Sequence, residues 1–487
     1  MKDEGGFTVK KKYILAVDGG SQSTKVTIFD LLGHELCYAG VPLKPMFLAK
    51  PGVVEHPGDD LWDSLVQACN EVMAKFAGDP NDIIALGLCS IRYCRCLLKK
   101  DGTLAQSVIS WMDARVSRPY AHTNQEVAYV VSANGYLTKR LTGKNNDTAS
   151  NYQGQWPINT DTWNWSTDKA AFAQYNIPRE MLFDLKMPGE IVGNMTPLAA
   201  SALGLPAGMP VVATGNDKAV EALGSGIIDR DKALISLGTY ICGMVPGTTN
   251  PKNTQSFWTN FACMPNQYLY ESGGIRRGMW LISWFKELLG AEASANGKKL
   301  GKSEEQYLNS LAEKVTAGSD GLLTVPEWLA RPDKPYQRGI MLGFDGRHKA
   351  GHIFRSIMEG IAMTMKNTMD AMCAELGITL KGITVSGGGS NSDVFMQIFA
   401  DVFGVTSVRN EINGAASLGA AICAAKAMHA YDRFETAANQ MVRAKKIFEP
   451  NAENTALYKR INETVYKDLT KTTDTVLKKT YEVFGNA

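Results

Sequence analysis

The 487-residue chain has no uninterrupted apolar run of the roughly 18 residues that a membrane-spanning helix needs, so none is expected. It also lacks an excess of either charge. Its 51 Lys and Arg stand against 49 Asp and Glu, a net of +2, which leaves no electrostatic footprint for nucleic acid or an anionic membrane. The opening MKDEGGFTVKKK is basic but has no apolar run behind it, so the expectation is no signal peptide and a cytoplasmic location. No low-complexity linker divides the chain, which points to closely apposed domains. The nine cysteines are odd in number and scattered. Cys94 and Cys96 form a C-x-C without a second Cys/His cluster at metal-ligand spacing, so both read as reduced core thiols, side by side on one face of a strand.

What is present is an α/β pattern. The length exceeds what one hydrophobic core serves, so two or more domains are expected. Residues 13–17 are aliphatic and read as a strand. A turn of Gly and hydroxyl residues follows at 18–24, and a second strand at 25–29 ends at Asp30. Residues 59–75 have helical spacing, with Leu61, Leu65, Ala68 and Val72 on one stripe. The plan recurs at 232–245, where the turn is Gly238-Thr239-Tyr240. A strand at 382–385, the loop Ser386-Gly387-Gly388-Gly389-Ser390-Asn391 and a helix at 393–403 come later. Two similar halves are expected, joined near residues 224–231. They would be an N-terminal domain over 10–226 and a C-terminal domain over 227–487.

Glycine turns let the backbone approach an anion, and consecutive N–H groups form a nest for it. The tips at 20–24 and 238–239 suit a phosphate, and the triple glycine 387–389 stands just before a helix N-terminus. Each alone is also an ordinary turn. Asp18 ends the first strand, where it serves either a divalent cation or an Asx turn. Asp217 follows the strand 210–213 and precedes a helix, a place that suits a catalytic base or a helix N-cap.

Taken together, these segments resemble the FGGY family of carbohydrate kinases over most of the chain. Residues 17–25, VDGGSQSTK, and Asp30 are similar to that family's first phosphate hairpin. Trp111, Asp113 and Arg115 match its W-x-D-x-R segment, and residues 140–143 its R-L-T-G helix end, followed by Asp147 and Ser150. Residues 214–218 occupy the place of its catalytic aspartate, and 236–239 its second phosphate hairpin. Residues 339–344 and 352–360 follow its C-terminal signature except at Phe344, and 387–421 resembles its adenosine-binding end.

The resemblance implies two actin-like, ribonuclease-H-like domains facing each other across a deep cleft, with sugar on the first and ATP on the second. It implies Asp217 as general base and Asp18 as the Mg2+ carboxylate. Ser21, Ser23 and Thr24 belong to the first phosphate hairpin, and Gly238 and Thr239 would contact the β and γ phosphates. Gly321, Gly388 and Gly389 would flank the nucleotide, and Ser392 falls where some members place an Asn beside the adenine. The sugar would meet Arg92, Tyr93, Trp111 and Asp217. Arg92 is otherwise a surface ion pair, Trp111 otherwise a core indole, and Lys218 is expected to point to solvent. Asp113 and Arg115 read as a structural pair, and the aromatic run 156–165 as a packed loop.

The chain departs from the family pattern in a short stretch between Arg115 and Tyr136 and in the 326–332 segment. It carries neither the Arg-Glu pair of glycerol kinases nor the Met-His pair of xylulokinases at 92–93. The expected activity is phosphorylation of a small sugar, a ketopentose such as xylulose first. A glycerol- or tetritol-type polyol kinase, another actin-like ATPase and a catalytically silent sugar sensor stand as alternatives. The expected partner is a small sugar or polyol, and a homodimer is the assembly to test.

Overall fold

The computed structural model describes residues 12–50, 52–331 and 333–485. Positions 10 and 11 of the expected first domain, the rest of the opening segment before them, and Pro332 lie outside the described residues.

Two mixed sheets organise the chain. The first contains β1 (Tyr13–Gly19), β2 (Ser23–Asp30), β3 (Glu35–Pro42), β4 (Ile83–Ser90), β5 (Ile191–Asn194) and β6 (Pro210–Ala213), in the spatial order β5-β6-β4-β1-β2-β3. β1, β4 and β6 are parallel neighbours, and β2 returns antiparallel to β1. The second contains β7 (Lys232–Leu237), β8 (Ile241–Gly247), β9 (Phe257–Phe261), β10 (Tyr268–Ser272), β11 (Gly382–Ser386), β12 (Thr406–Asn410) and β13 (Ala444–Phe448), in the order β9-β10-β8-β7-β11-β12-β13. An antiparallel β7–β8 hairpin and a parallel β7–β11 pair repeat the plan of β1, β2 and β4. Each half therefore opens on a glycine-tipped hairpin, as the strand-turn-strand patterns predict.

The helices that cover these sheets and shape the space between them are α1 (Asp60–Lys75), α2 (Asp217–Gly224), α3 (Ala350–Leu376), α4 (Asp393–Phe403), α5 (Ala415–Ala427) and α6 (Phe434–Met441). β1 is aliphatic without alternation because both its faces are covered. Leu15 and Val17 join the α1 stripe in one core, while Ile14 and Ala16 join α2, α5 and α6 in another. α5 and α6 thus close the first sheet although the chain reaches them only after most of the second sheet is built. The Ala/Gly-rich sequence of α5 follows from how close it comes. A Cβ on Gly419 would lie 1.9 Å from the Val220 carbonyl oxygen, and one on Gly224 the same distance from that of Ala415. α2 and α5 cross backbone against backbone, a contact only glycine admits at these two points.

One local expectation needs refinement and two hold. Cys94 precedes the short strand Cys96–Leu98 and does not belong to it, although both thiols are buried. The aromatic run does pack: Trp156, Trp163 and Trp165 are buried, and Trp163 lies 4.2 Å from Phe261 of β9 between ring centroids. The loop therefore bridges the two halves, with the Tyr268 hydroxyl donating to the Thr160 carbonyl at 2.8 Å. Asp113 and Arg115 form the expected pair, with a side-chain contact of 2.6 Å.

Candidate functional site

Asp18, Arg92 and Asp217 sit at or just beyond the carboxyl ends of the three adjacent parallel strands β1, β4 and β6. That end of an open α/β sheet is where ligands collect. The register explains their proximity: Asp18 lies beside Cys89, and the Ile91 N–H donates to the Gly19 carbonyl at 2.7 Å. After β6, the Thr214 hydroxyl donates to the Leu88 carbonyl at 2.6 Å, fixing the loop that carries Asp217.

The competing cap reading belongs to Asn216. Its side chain accepts from the Lys218 and Ala219 N–H groups, both at 3.1 Å. Asp217 is left free at the first position of α2. Its Oδ1 is buried with no hydrogen-bond partner, and the nearest cation is Arg92 Nε at 3.7 Å. Burial pushes the carboxyl above its ordinary value, and Asp18 and Glu221 push the same way against the Arg92 and Lys218 cations. An unpartnered acceptor with a raised pKa is what proton abstraction from a hydroxyl requires.

Arg92 is neither free nor at the surface. Its Nη1 and Nη2 donate to the two carboxylate oxygens of Glu271 at 2.9 and 3.1 Å, a fork-to-fork pair between the first half and β10 of the second. Tyr93 adopts a φ of 64°, a strained conformation for a bulky residue, and its ring lies 5.2 Å from the guanidinium carbon. Trp111 is 45% exposed, so it is not a core indole. Lys218 does not point to solvent, because its Nζ is drawn inward by the Glu221 carboxylate at 2.7 Å and the Ser236 hydroxyl at 2.8 Å. Glu221 also accepts from the Ser236 and Ser386 hydroxyls, so α2 is tied to the two strands that lead into the second hairpin and the triple glycine.

On the first hairpin, Ser21 and Ser23 lie at the tip, where the Gly20 N–H donates to the Ser23 carbonyl at 3.0 Å. The Thr24 hydroxyl is directed away, paired with Ser64 of α1 at 2.8 Å, so Thr24 offers the tip only its backbone. Asp18 is 5% exposed and pairs with Lys25 Nζ at 3.1 Å. No group of three or more His, Cys, Asp or Glu able to hold a metal occurs among the described residues. A single carboxylate beside a glycine-tipped hairpin fits Mg2+, which keeps its waters and takes its other ligands from phosphates.

Thr239 is exposed at the second tip. The carbonyls of Gly238 and Thr239 are pinned by the Met279 and Gly278 N–H groups at 3.1 and 2.8 Å. Gly387 has a φ of +87°, and a Cβ there would lie 2.4 Å from the Leu237 carbonyl oxygen, so the triple-glycine loop rests on this hairpin. Gly388 and Gly321 instead face open space, with nothing within 4 Å of a Cβ. Gly389 packs under Leu237. The Ser392 hydroxyl is committed twice, to Asn309 Oδ1 at 2.8 Å and to the Phe395 N–H at 3.2 Å.

The loop before Gly321 is strained, since Gly318, Ser319, Asp320 and Gly321 all have positive φ. Buried Glu359 on α3 holds it, accepting from the Gly318 N–H at 3.0 Å, the Ser319 hydroxyl at 2.8 Å, Arg355 Nε at 2.8 Å and the Tyr458 hydroxyl at 2.6 Å. The C-terminal signature around Arg355 and Glu359 thus has a mechanical role.

Three residues escaped the sequence reading. Lys25 was legible from the hairpin register, which sets it opposite Asp18. Glu221 stands three residues after Lys218 on a helix, within reach of it. Glu271 is a lone acid in the buried strand YLYES, a placement that demands a partner.

Comparison with known proteins identifies the family. Residues 13–127 and 116–224 match the N-terminal domain of the FGGY family of carbohydrate kinases, and residues 233–428 match the C-terminal domain. The chain is 50% identical over 475 residues to the "Uncharacterized sugar kinase YgcE" of Escherichia coli strain K12, covering 98% of this chain and 96% of that protein. Its fold is similar to the crystal structure of a xylulose kinase from Rhodospirillum rubrum, with a TM-score of 0.83, 21% identity and coverage of 96% and 100%. It is similar also to a gluconate kinase from Lactobacillus acidophilus, with a TM-score of 0.82, 19% identity and the same coverage. With both family domains matched in order and two actin-like halves meeting around Asp217, the chain belongs to the FGGY family of carbohydrate kinases.

Proposed function

We propose that this sugar kinase moves the γ-phosphoryl group of ATP onto a hydroxyl of a small ketose, a ketopentose such as xylulose first among them, or of a linear polyol. The observation that carries the reading is the buried Oδ1 of Asp217, which has no hydrogen-bond donor and only a 3.7 Å ion pair with Arg92, at the meeting of the two halves. Asp217 takes the proton of the sugar hydroxyl as its oxygen forms a bond to the γ-phosphorus. The bond from that phosphorus to the β–γ bridging oxygen breaks, and ADP leaves. Arg92, Tyr93 and the exposed face of Trp111 form the sugar side, together with Asp217 itself. Ser21, Ser23 and the Thr24 backbone approach the phosphates from the first half, Gly238 and Thr239 from the second. Gly321 and Gly388 leave room for the nucleoside, with Ser392 at its edge, whereas Gly389 packs against Leu237 and supports the loop from below. Asp18 is placed to hold Mg2+, which would neutralise charge on the phosphates. In chain terms the sugar side falls within 10–226 and the nucleotide side within 227–487, with α5 as the element shared in space.

ATP turnover measured against a panel of ketoses and alditols tests this reading. Strong stimulation by one compound supports it. Sugar-independent hydrolysis contradicts it, and binding without turnover indicates a sensor.

Glu359 supplies a second check. E359Q weakens a charged acceptor that anchors the strained loop, and bonds to charged groups are worth about 1.5–3 kcal/mol. The expected result is a rise of about 10-fold or more in KM for ATP with little change in KM for the sugar, read from initial rates.

A further inference from the structure

We infer that this site takes neutral polyhydroxy substrates and refuses sugar acids, and that Glu271 enforces the choice by occupying the guanidinium fork of Arg92. The inference rests on the kinase reading of the same site. A carboxylate-bearing sugar needs a cation with free, parallel N–H donors, and Arg is the side chain best shaped for that task. Arg92 is the cation beside Asp217, but both of its terminal nitrogens are spent on Glu271. Glu271 is fully buried and cannot swing out to solvent, because Asn260 Nδ2 at 2.8 Å and Trp258 Nε1 at 3.2 Å hold the same carboxylate. Burial is the largest influence on its pKa and raises it, but Arg92, Lys218 and the Cys242 thiol together hold it below the ordinary value, so it is ionised at neutral pH.

The charge balance follows. Arg92 faces two carboxylates, Glu271 and Asp217, and with Asp217 ionised, as a general base must be, the cluster carries one negative charge. The neighbouring cations do not correct it, since Lys218 is paired with Glu221 at 2.7 Å and Lys25 with Asp18 at 3.1 Å, and an Mg2+ ion at Asp18 would arrive with the triphosphate that offsets its charge. An incoming sugar carboxylate meets repulsion, whereas hydroxyls can accept from the remaining Arg92 N–H groups and donate to Asp217. This is selectivity by a built-in penalty against the competitor, set by a residue that acts through Arg92.

The test compares neutral probes (D-xylulose, D-ribulose, erythritol, glycerol) with acids (D-gluconate, D-galactonate, D-glycerate) as substrates of wild type and of E271Q. For wild type, the best neutral compound should exceed the best acid by at least about 100-fold in kcat/KM. For E271Q, that ratio should fall by about 10-fold or more, because the amide keeps only one acceptor oxygen, so the variant frees one Arg92 N–H and removes one negative charge. A purely structural role for Glu271 would lower both classes together and leave the ratio unchanged, which would overturn the inference. Wild-type turnover of an acid at the level of the neutral sugars also overturns it while leaving the kinase reading intact. A wild-type enzyme that turns over no member of either set removes the kinase reading and this inference with it. Should E271Q fail to fold, the wild-type comparison decides alone.

Discussion

Asp217→Asn is expected to lower kcat by about 100-fold or more while leaving the Kd values for sugar and ATP near those of wild type, since general-base catalysis contributes on that order. The amide keeps the size and position of the carboxylate at the start of α2. It keeps the Asn216 cap too, because that cap is made by a different side chain. Only the proton acceptor disappears. Stability should move the other way. The folded protein holds a proton on Asp217 more tightly than the unfolded chain, whose carboxyl titrates near 3.8. Ionised Asp217 therefore weakens the fold progressively as pH rises above 3.8 and through its raised folded-state pKa. D217N is expected to melt at or above the wild-type temperature at pH 7 while being nearly inactive. A variant that loses activity only because it unfolds would give the opposite melting shift.

Arg92→Met should be costly in a different way. Removing the guanidinium leaves Glu271 fully buried with Asn260, Trp258 and the weak thiol donor of Cys242, and with no cation bonded to it. Breaking one side of a buried ion pair typically costs about 3–5 kcal/mol, more than the pair contributes over a well-packed apolar substitute. R92M is thus expected to lose about that much stability in denaturant titration, and to lose sugar turnover with it. The pair can be separated from the site by a second change. R92M/E271Q removes the stranded charge and should regain most of the stability without regaining turnover, since the hydroxyl donor of the sugar side is still absent. Equal stability of R92M and the double variant would show that the pair is not what holds this part of the molecule.

These expectations also show what was legible in the sequence. Both hairpins stand out because Gly and hydroxyl tips interrupt aliphatic runs, a local pattern that local physics dictates. Asp217 was legible as a strand-end carboxylate, and the strand-end geometry of β1, β4 and β6 then brings it to Asp18 and Arg92. Partnerships across the chain were not legible. Arg92 and Glu271 are 179 positions apart, and nothing in the periodicity near either names the other. The same holds for α5, whose small residues signal close approach but not that the first sheet is what they approach. Lys218 was read as solvent-facing because helix position alone cannot reveal that Ser236 and Glu221 converge on it. Thr24 looked like a tip hydroxyl because its pairing with Ser64 depends on how α1 packs beneath the hairpin.

The pH dependence of kcat/KM for wild type and D217N, measured with the best sugar of the panel, tests the role of Asp217 most directly. The account predicts that wild-type activity falls with unit slope as pH drops through a pKa above the ordinary aspartate value of 3.8, and that D217N shows a low, flat profile without that limb. A D217N profile that keeps the acid limb would place the titrating base elsewhere and contradict it.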